Sequence, residues 1–221
     1  IYELEISPRI HEAREATLIS KGEGSKFSPR YSPDGKDIAY ALDLDGSETY
    51  HIVLQNLATD SHHDLTPTSA YAQQPNFAFS PDGTILAILS DEQGQFALYL
   101  VSIETRRKKL LLDIQRPMWD VEWSPDGKRI AVEAEMEASD RGVFIVEMES
   151  PAKRDGAQGA HGKWKQIEGL NAQHPVWSPD SRFLAFSAES GEWFDIGLYE
   201  VATSNVEWLT HSTGDDTSPC W

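Results

Sequence analysis

One cysteine, Cys220, stands in 221 residues. A single thiol excludes an internal disulfide framework and a Cys-based zinc cage, and it leaves the redox compartment open. Long apolar runs are also missing. Stretches such as Leu110-Leu111-Leu112 and Val143-Phe144-Ile145-Val146 fall far short of the roughly 20 residues that span a bilayer, so no membrane insertion is expected. Basic residues are few: 19 Lys+Arg against 36 Asp+Glu gives a formal charge of −17. A surface that acidic repels phosphate backbones and anionic headgroups, which makes nucleic acid and membrane surfaces poor partners. Several motifs of catalysis and ligation are absent as well. There is no phosphate loop, dinucleotide fingerprint, His-Glu-x-x-His or Asn-x-Ser/Thr acceptor. There is no Gly-x-Ser-x-Gly nucleophile elbow either, and Gly22-Glu23-Gly24-Ser25-Lys26 does not make one.

What is present is a globular composition, 39% hydrophobic and 25% charged, organised by one repeat. An aromatic residue followed by Ser-Pro-Asp-Gly occurs at Tyr31-Ser32-Pro33-Asp34-Gly35, Phe79-Ser80-Pro81-Asp82-Gly83 and Trp123-Ser124-Pro125-Asp126-Gly127. Trp177-Ser178-Pro179-Asp180-Ser181 is a fourth copy with Ser in place of Gly. Six and seven residues after each Ser come an aliphatic residue and Ala: Ile38-Ala39, Leu86-Ala87, Ile130-Ala131 and Leu184-Ala185. The copies lie 48, 44 and 54 residues apart (80 − 32, 124 − 80, 178 − 124), near the blade length of a propeller. Pro presets φ for a type I turn, Asp bonds the backbone of its own turn, and Gly is free to take positive φ. Asp34, Asp82, Asp126 and Asp180 are therefore read as structural. Ser181 is expected to strain its turn or change its type.

Each motif joins a strand ending in the aromatic to an alternating strand: Asp37–Leu42, Ile85–Ser90, Arg129–Ala134 and Phe183–Ala188. Third strands follow at His51–Leu54, Leu98–Val101, Val143–Val146 and Leu198–Val201, and poorer fourth strands end near Leu65, Leu111, Ile167 and Leu209. Four strands per unit define an all-β fold, a partial β-propeller of about four and a half four-stranded blades. The blades are expected over 1–20 (half), 27–66, 75–113, 118–170 and 175–210, with the first strand of another at 218–221. Ile1-Tyr2-Glu3-Leu4 matches the third strand Leu198-Tyr199-Glu200-Val201, and Trp221 fills the aromatic slot one residue before the next expected motif. A crop from a longer ring accounts for both. Two further segments read as loops: His11–Ala16 as an insertion or single turn, and Ser150–Lys163 as an exposed insertion.

These residues carry a resemblance. The aromatic-Ser-Pro-Asp-Gly-x-x-(Ile/Leu)-Ala units, with Leu-Tyr-x-Val and Leu-Thr-x-x-x-Gly after them, resemble the WD-like repeats of TolB-type propellers. The same repeats form the N-terminal propeller of prolyl oligopeptidase-family serine peptidases. Stretches such as Gln74-Pro75-Asn76-Phe77-Ala78-Phe79 and Glu207-Trp208-Leu209-Thr210-His211 are more similar to the peptidase propellers. The resemblance implies a domain that gates or selects peptides for an α/β-hydrolase domain C-terminal to it in the same polypeptide. No nucleophile or triad residue carries over, so this chain alone is expected to have no peptidase activity. The alternative is a non-enzymatic, TolB-like scaffold that docks protein partners. No cofactor and no metal are expected. The cytoplasm is the expected compartment, with the periplasm as the alternative, because the chain opens on Ile1 rather than Met.

Candidate binding residues come from the loops opposite the Ser-Pro-Asp-Gly turns. Tyr71, Asp91, Glu92, Trp119, Asp140, Arg141, Glu192 and Trp193 form the main set, with Asp43, Asp45, Glu189 and His174 nearby. The peptidase resemblance implies that such acids or an arginine hold substrate termini; the plain alternative is a set of solvated loop tips. Asp43–Glu48 has a faint likeness to a calcium loop without its third ligand or distal Glu. His62 and His63 are adjacent on a strand and point to opposite faces, so the pair makes no single metal site.

Overall fold

The computed structural model describes residues 1–3, 17–20, 22–67, 70–137, 140–148, 163–167 and 170–221. The segments expected to form loops at His11–Ala16 and Ser150–Lys163 lie outside the described residues, Lys163 excepted. Every regular element described is a strand. A short pair, β1 (Tyr2–Glu3) and β2 (Thr17–Leu18), precedes four antiparallel four-stranded sheets, each in simple sequence order. The first sheet holds β3 (Ser25–Tyr31), β4 (Asp37–Asp43), β5 (His51–Asn56) and β6 (His62–Asp64). The second holds β7 (Gln73–Phe79), β8 (Ile85–Ser90), β9 (Ala97–Ser102) and β10 (Lys108–Leu112). The third holds β11 (Met118–Trp123), β12 (Arg129–Glu135), β13 (Arg141–Glu147) and β14 (Trp164–Gln166). The fourth holds β15 (Ala172–Trp177), β16 (Phe183–Glu189), β17 (Phe194–Glu200) and β18 (Val206–Trp208). The expected all-β, partial propeller is thus what the chain forms.

The middle strands of the inner blades are apolar on both faces because the second and third sheets each pack against a neighbour on both sides. On β8, Leu86 and Ile88 pack toward the first blade with Ala41, Ile52 and Leu54. Ala87 and Leu89 turn the other way, into a core with Val121, Ile130 and Val132 of the third blade. A separate core joins Ala131, Val143 and Ile145 to Leu184, Phe186 and Tyr199 of the fourth. Burial at about 25 cal/mol per Å² of apolar surface makes these three seams the main source of cohesion. Gly197 serves the last of them: a Cβ there would stand 2.6 Å from Phe186 Cζ, so only glycine lets that ring lie across β17.

The four repeat motifs fold into one bonded unit. In the first, Gly35 N donates to Ser32 O (2.9 Å) and Ser32 N to Asp37 O (2.8 Å). Ser32 Oγ donates to Asp34 Oδ1 and accepts from Asp37 N, while Lys36 N also donates to Asp34 Oδ1. The same five bonds recur at Ser80, Ser124 and Ser178. The Ser hydroxyl, the Asp carboxylate and the turn N–H groups thereby bond one another, which explains why Ser, Asp and a positive-φ residue recur together. Ser181 keeps the turn: its N donates to Ser178 O at 2.9 Å and its φ is 61°. The expected strain is there, but the turn type is unchanged. Its hydroxyl accepts from Asp126 N of the neighbouring blade at 2.9 Å, a bond no glycine can make.

Candidate axial binding site

The innermost strand of each blade is irregular at one place. Register shifts fall between Phe27 and Arg30, Gln73 and Phe77, Met118 and Asp120, and Gln173 and Val176. The residue four before each motif Ser is Ser28, Asn76, Asp120 or His174. Ser28 and His174 have φ of 49° and 53°, left-handed values that the bulge imposes. Two residues on stand Arg30, Ala78, Glu122 and Val176. Arg30 acts electrostatically on both Asp120 and Glu122, although the whole second blade separates their strands in sequence. The inner strands therefore converge on a shared axis, and these side chains line it.

Cross-blade bonds set the convergence. Asn76 Nδ2 donates to Trp119 O (2.9 Å), and Trp177 Nε1 donates to Glu122 O (3.2 Å). Trp221 Nε1 repeats the second bond, to Val176 O at 3.0 Å, and so sits as the aromatic of an inner strand would. Burial raises the Asp120 carboxyl above the ordinary Asp range; the Val121 N–H opposes that, Glu133 adds to it, and Arg30 and His174 oppose it. Burial likewise raises Glu122, with Arg30 opposing and Asp120 adding. Charge on this axis is held at a cost, and a cationic or zwitterionic guest would lower that cost.

At the end of the axis away from the Ser-Pro-Asp-Gly turns, one arginine is fixed on three sides. Arg141 Nη1 donates to Glu133 Oε1 at 3.0 Å, its guanidinium lies 4.9 Å from the Trp119 ring centroid, and its N donates to Asn171 Oδ1. Glu133 is 5% exposed, and its second oxygen accepts from His174 N at 2.9 Å. About a third of the Arg141 side chain is open to solvent, and the guanidinium has donors beyond the one that Glu133 uses.

The expected site residues divide. Trp119 and Arg141 are brought together, and the backbone of His174 joins them through Glu133. Asp140 is exposed beside them, its backbone bonded to Met136 and Glu137. Asp91 accepts from Ala72 N (2.8 Å), next to the exposed Tyr71, and Glu92 is paired with Lys108. Trp193 is 41% exposed at its loop and Glu192 is exposed beside it. No hydrogen bond or ion pair among the described residues joins Tyr71, Asp91, Glu92, Glu192 or Trp193 to Arg141. Asp43 is a buried cap, accepting from Gly46 N at 2.8 Å and Glu48 N at 3.3 Å, and Asp45 accepts from Ser47 N. The Asp43–Glu48 segment is therefore a turn that bonds itself. His62 faces Tyr40 and His63 faces Arg106, opposite ways as expected. Among the described residues no group of three His, Cys, Asp or Glu could hold a metal ion, and no helix is long and apolar enough to cross a membrane.

Arg30, Asp120, Glu122 and Glu133 were not in the expected set. Their signal is positional: polar residues at fixed offsets before the motif Ser, and one acid inside the otherwise apolar run Arg129–Ala134.

Sheets stacked face to face about a polar axis define a β-propeller segment. The chain belongs to the TolB beta propeller domain family, which matches residues 6–153. It is 30% identical over 199 residues to the uncharacterized peptidase YuxL of Bacillus subtilis, covering 76% of this chain and 30% of that one. It is 31% identical over 132 residues to the Tol-Pal system protein TolB of Francisella tularensis, covering 59% of this chain and 28% of that one. The chain thus spans about three tenths of either relative. A crystal structure of puromycin hydrolase superposes with a TM-score of 0.70 at 16% identity, over 89% of this chain and 31% of that one. That likeness concerns the fold.

Proposed function

We propose that this propeller selects peptide substrates for a prolyl oligopeptidase-like serine peptidase whose α/β-hydrolase domain belongs to the same polypeptide. The observation that carries the reading is an oriented, partly exposed arginine at the mouth of a mixed-charge axis, in a chain 30% identical to a peptidase over 76% of its length. Arg141 is suited to receive a peptide carboxylate, and Asp120 and Glu122 are suited to receive an amino terminus or a basic side chain.

The test is steady-state kinetics of the full-length protein on short peptides. Arg141→Gln is expected to raise KM about tenfold with kcat nearly unchanged, the sign of lost uniform binding. An unchanged KM, or a full-length protein without peptidase activity, refutes the reading. A second reading, a protein-docking scaffold, is favoured by the 31% identity to TolB. It requires stoichiometric binding of a folded partner that competes with peptides.

A further inference from the structure

Two residues before each motif Ser, the inner strands carry Arg30, Ala78, Glu122 and Val176, one from each blade in turn. The first three line a single hollow of about 400 Å³ at the turn-side end of the axis, with Pro33 and Phe79 in its wall. A hollow of that size falls within the roughly 300–1,000 Å³ usual for small-molecule sites. Ala78 belongs to the blade between the other two and has the shortest side chain of the four. It leaves the space between the cation of the first blade and the acid of the third unfilled.

Opposite charges that share a partly desolvated hollow ordinarily close on each other, because a buried charge without a partner is costly. Here they do not. Arg30 acts on Glu122 through space, yet among the described residues neither its guanidinium nor the Glu122 carboxylate makes a hydrogen bond or an ion pair. Arg30 is exposed, whereas burial raises the Glu122 carboxyl above the ordinary Glu range, so the acid has lost water without gaining a donor. A guest that satisfies both groups carries an ammonium for Glu122 and a carboxylate for Arg30, whose planar fork suits one. A free amino acid holds its two charges on one carbon; a short peptide separates them, as receptors on two different blades require. Phe79 and Pro33 offer an apolar wall to a side chain lying between the termini.

We infer that this hollow binds short peptides with both termini free, the carboxylate on Arg30, the ammonium on Glu122 and an apolar side chain against Phe79. The site lies at the end of the axis opposite Arg141 and does not rest on the peptidase reading, with which it shares only Glu122. Calorimetric titration of the full chain with Ala-Phe, N-acetyl-Ala-Phe and Ala-Phe amide tests it. Ala-Phe is expected to bind, and blocking either terminus to weaken binding at least tenfold. Arg30→Gln should weaken Ala-Phe about tenfold and erase the difference between acid and amide while leaving the acetyl effect. Glu122→Gln should do the reverse. A loss of fold cannot imitate this pairing of each residue with one terminus. An Ala-Phe analogue carrying benzophenone on its ring should crosslink around Pro33 and Phe79. No binding of Ala-Phe, equal binding of all three peptides, charge variants that fail to discriminate between the termini, or crosslinking at Trp119 and Arg141 would each overturn the proposal. The peptidase reading is decided separately, by the KM of Arg141→Gln, so either can fail without the other.

Discussion

Replacing Ser181 separates two effects that nearly cancel in the native turn. At φ 61° a non-glycine residue carries about 1–2 kcal/mol of left-handed strain. Against that, Ser181 Oγ accepts from Asp126 N across the blade seam at 2.9 Å, with the residue 6% exposed, a bond with a net value of about 0.5–1.5 kcal/mol. Ser181→Gly removes both and should leave stability within about 0.5 kcal/mol of the parent. Ser181→Ala keeps the strain and loses the bond, so it should cost about 1 kcal/mol, or about 2–4 °C in Tm for a chain of this size. Urea titrations of the two variants, followed by tryptophan fluorescence, give the comparison directly. If alanine matches or exceeds glycine, the positive φ carries no strain; if alanine matches the parent, the cross-blade bond has no value; either result fails the account of the fourth turn.

Other outcomes follow from the same structure. Asp82→Ala removes an acceptor used by Ser80 Oγ (2.6 Å), Thr84 N (3.1 Å) and Thr84 Oγ1 (2.8 Å); thermal unfolding should show a loss of about 1–2 kcal/mol, and an unchanged midpoint excludes the structural role. In the first turn, Lys36 and Ser32 bonds to Asp34 lower that carboxyl from 3.8 to about 2. A lowered acid stabilises the fold above its unfolded value and loses that contribution as pH falls from about 4 toward 2. Glu122, raised mainly by burial, acts in the opposite sense: its unfavourable contribution grows as pH climbs through and above the ordinary carboxylate range. Glu122→Gln should therefore raise Tm at pH 7 and lose that advantage under acid, and a gain that is constant with pH contradicts it. Leu86→Ala, at a fully buried position between the first two blades, should cost about 2–5 kcal/mol by denaturant titration.

The repeat was legible because its chemistry is local. Ser, Pro, Asp and Gly satisfy one another within six residues, so Ser32, Ser80, Ser124 and Ser178 announce the same turn wherever they occur. Strand alternation was legible for a related reason: a blade covered on both faces needs apolar residues at both parities, as at Leu86 and Ala87. The candidate site was only half legible. Trp119 and Arg141 were found because they stand at strand ends that topology assigns to one end of the blades. Glu133 was passed over because an acid inside an apolar strand shows its purpose only through Arg141 and His174, which lie 8 and 41 residues away.

By itself the sequence determined the architecture, the turn chemistry and the charge, since these depend on neighbours within a few residues and on residue counts. Tertiary structure decided what no local rule encodes. It set Arg30 opposite Asp120 and Glu122, and it placed the Ser181 hydroxyl on Asp126 N. The physical reason is the same in each case: inner strands far apart in sequence meet at one axis, and their bulges choose which side chains face it.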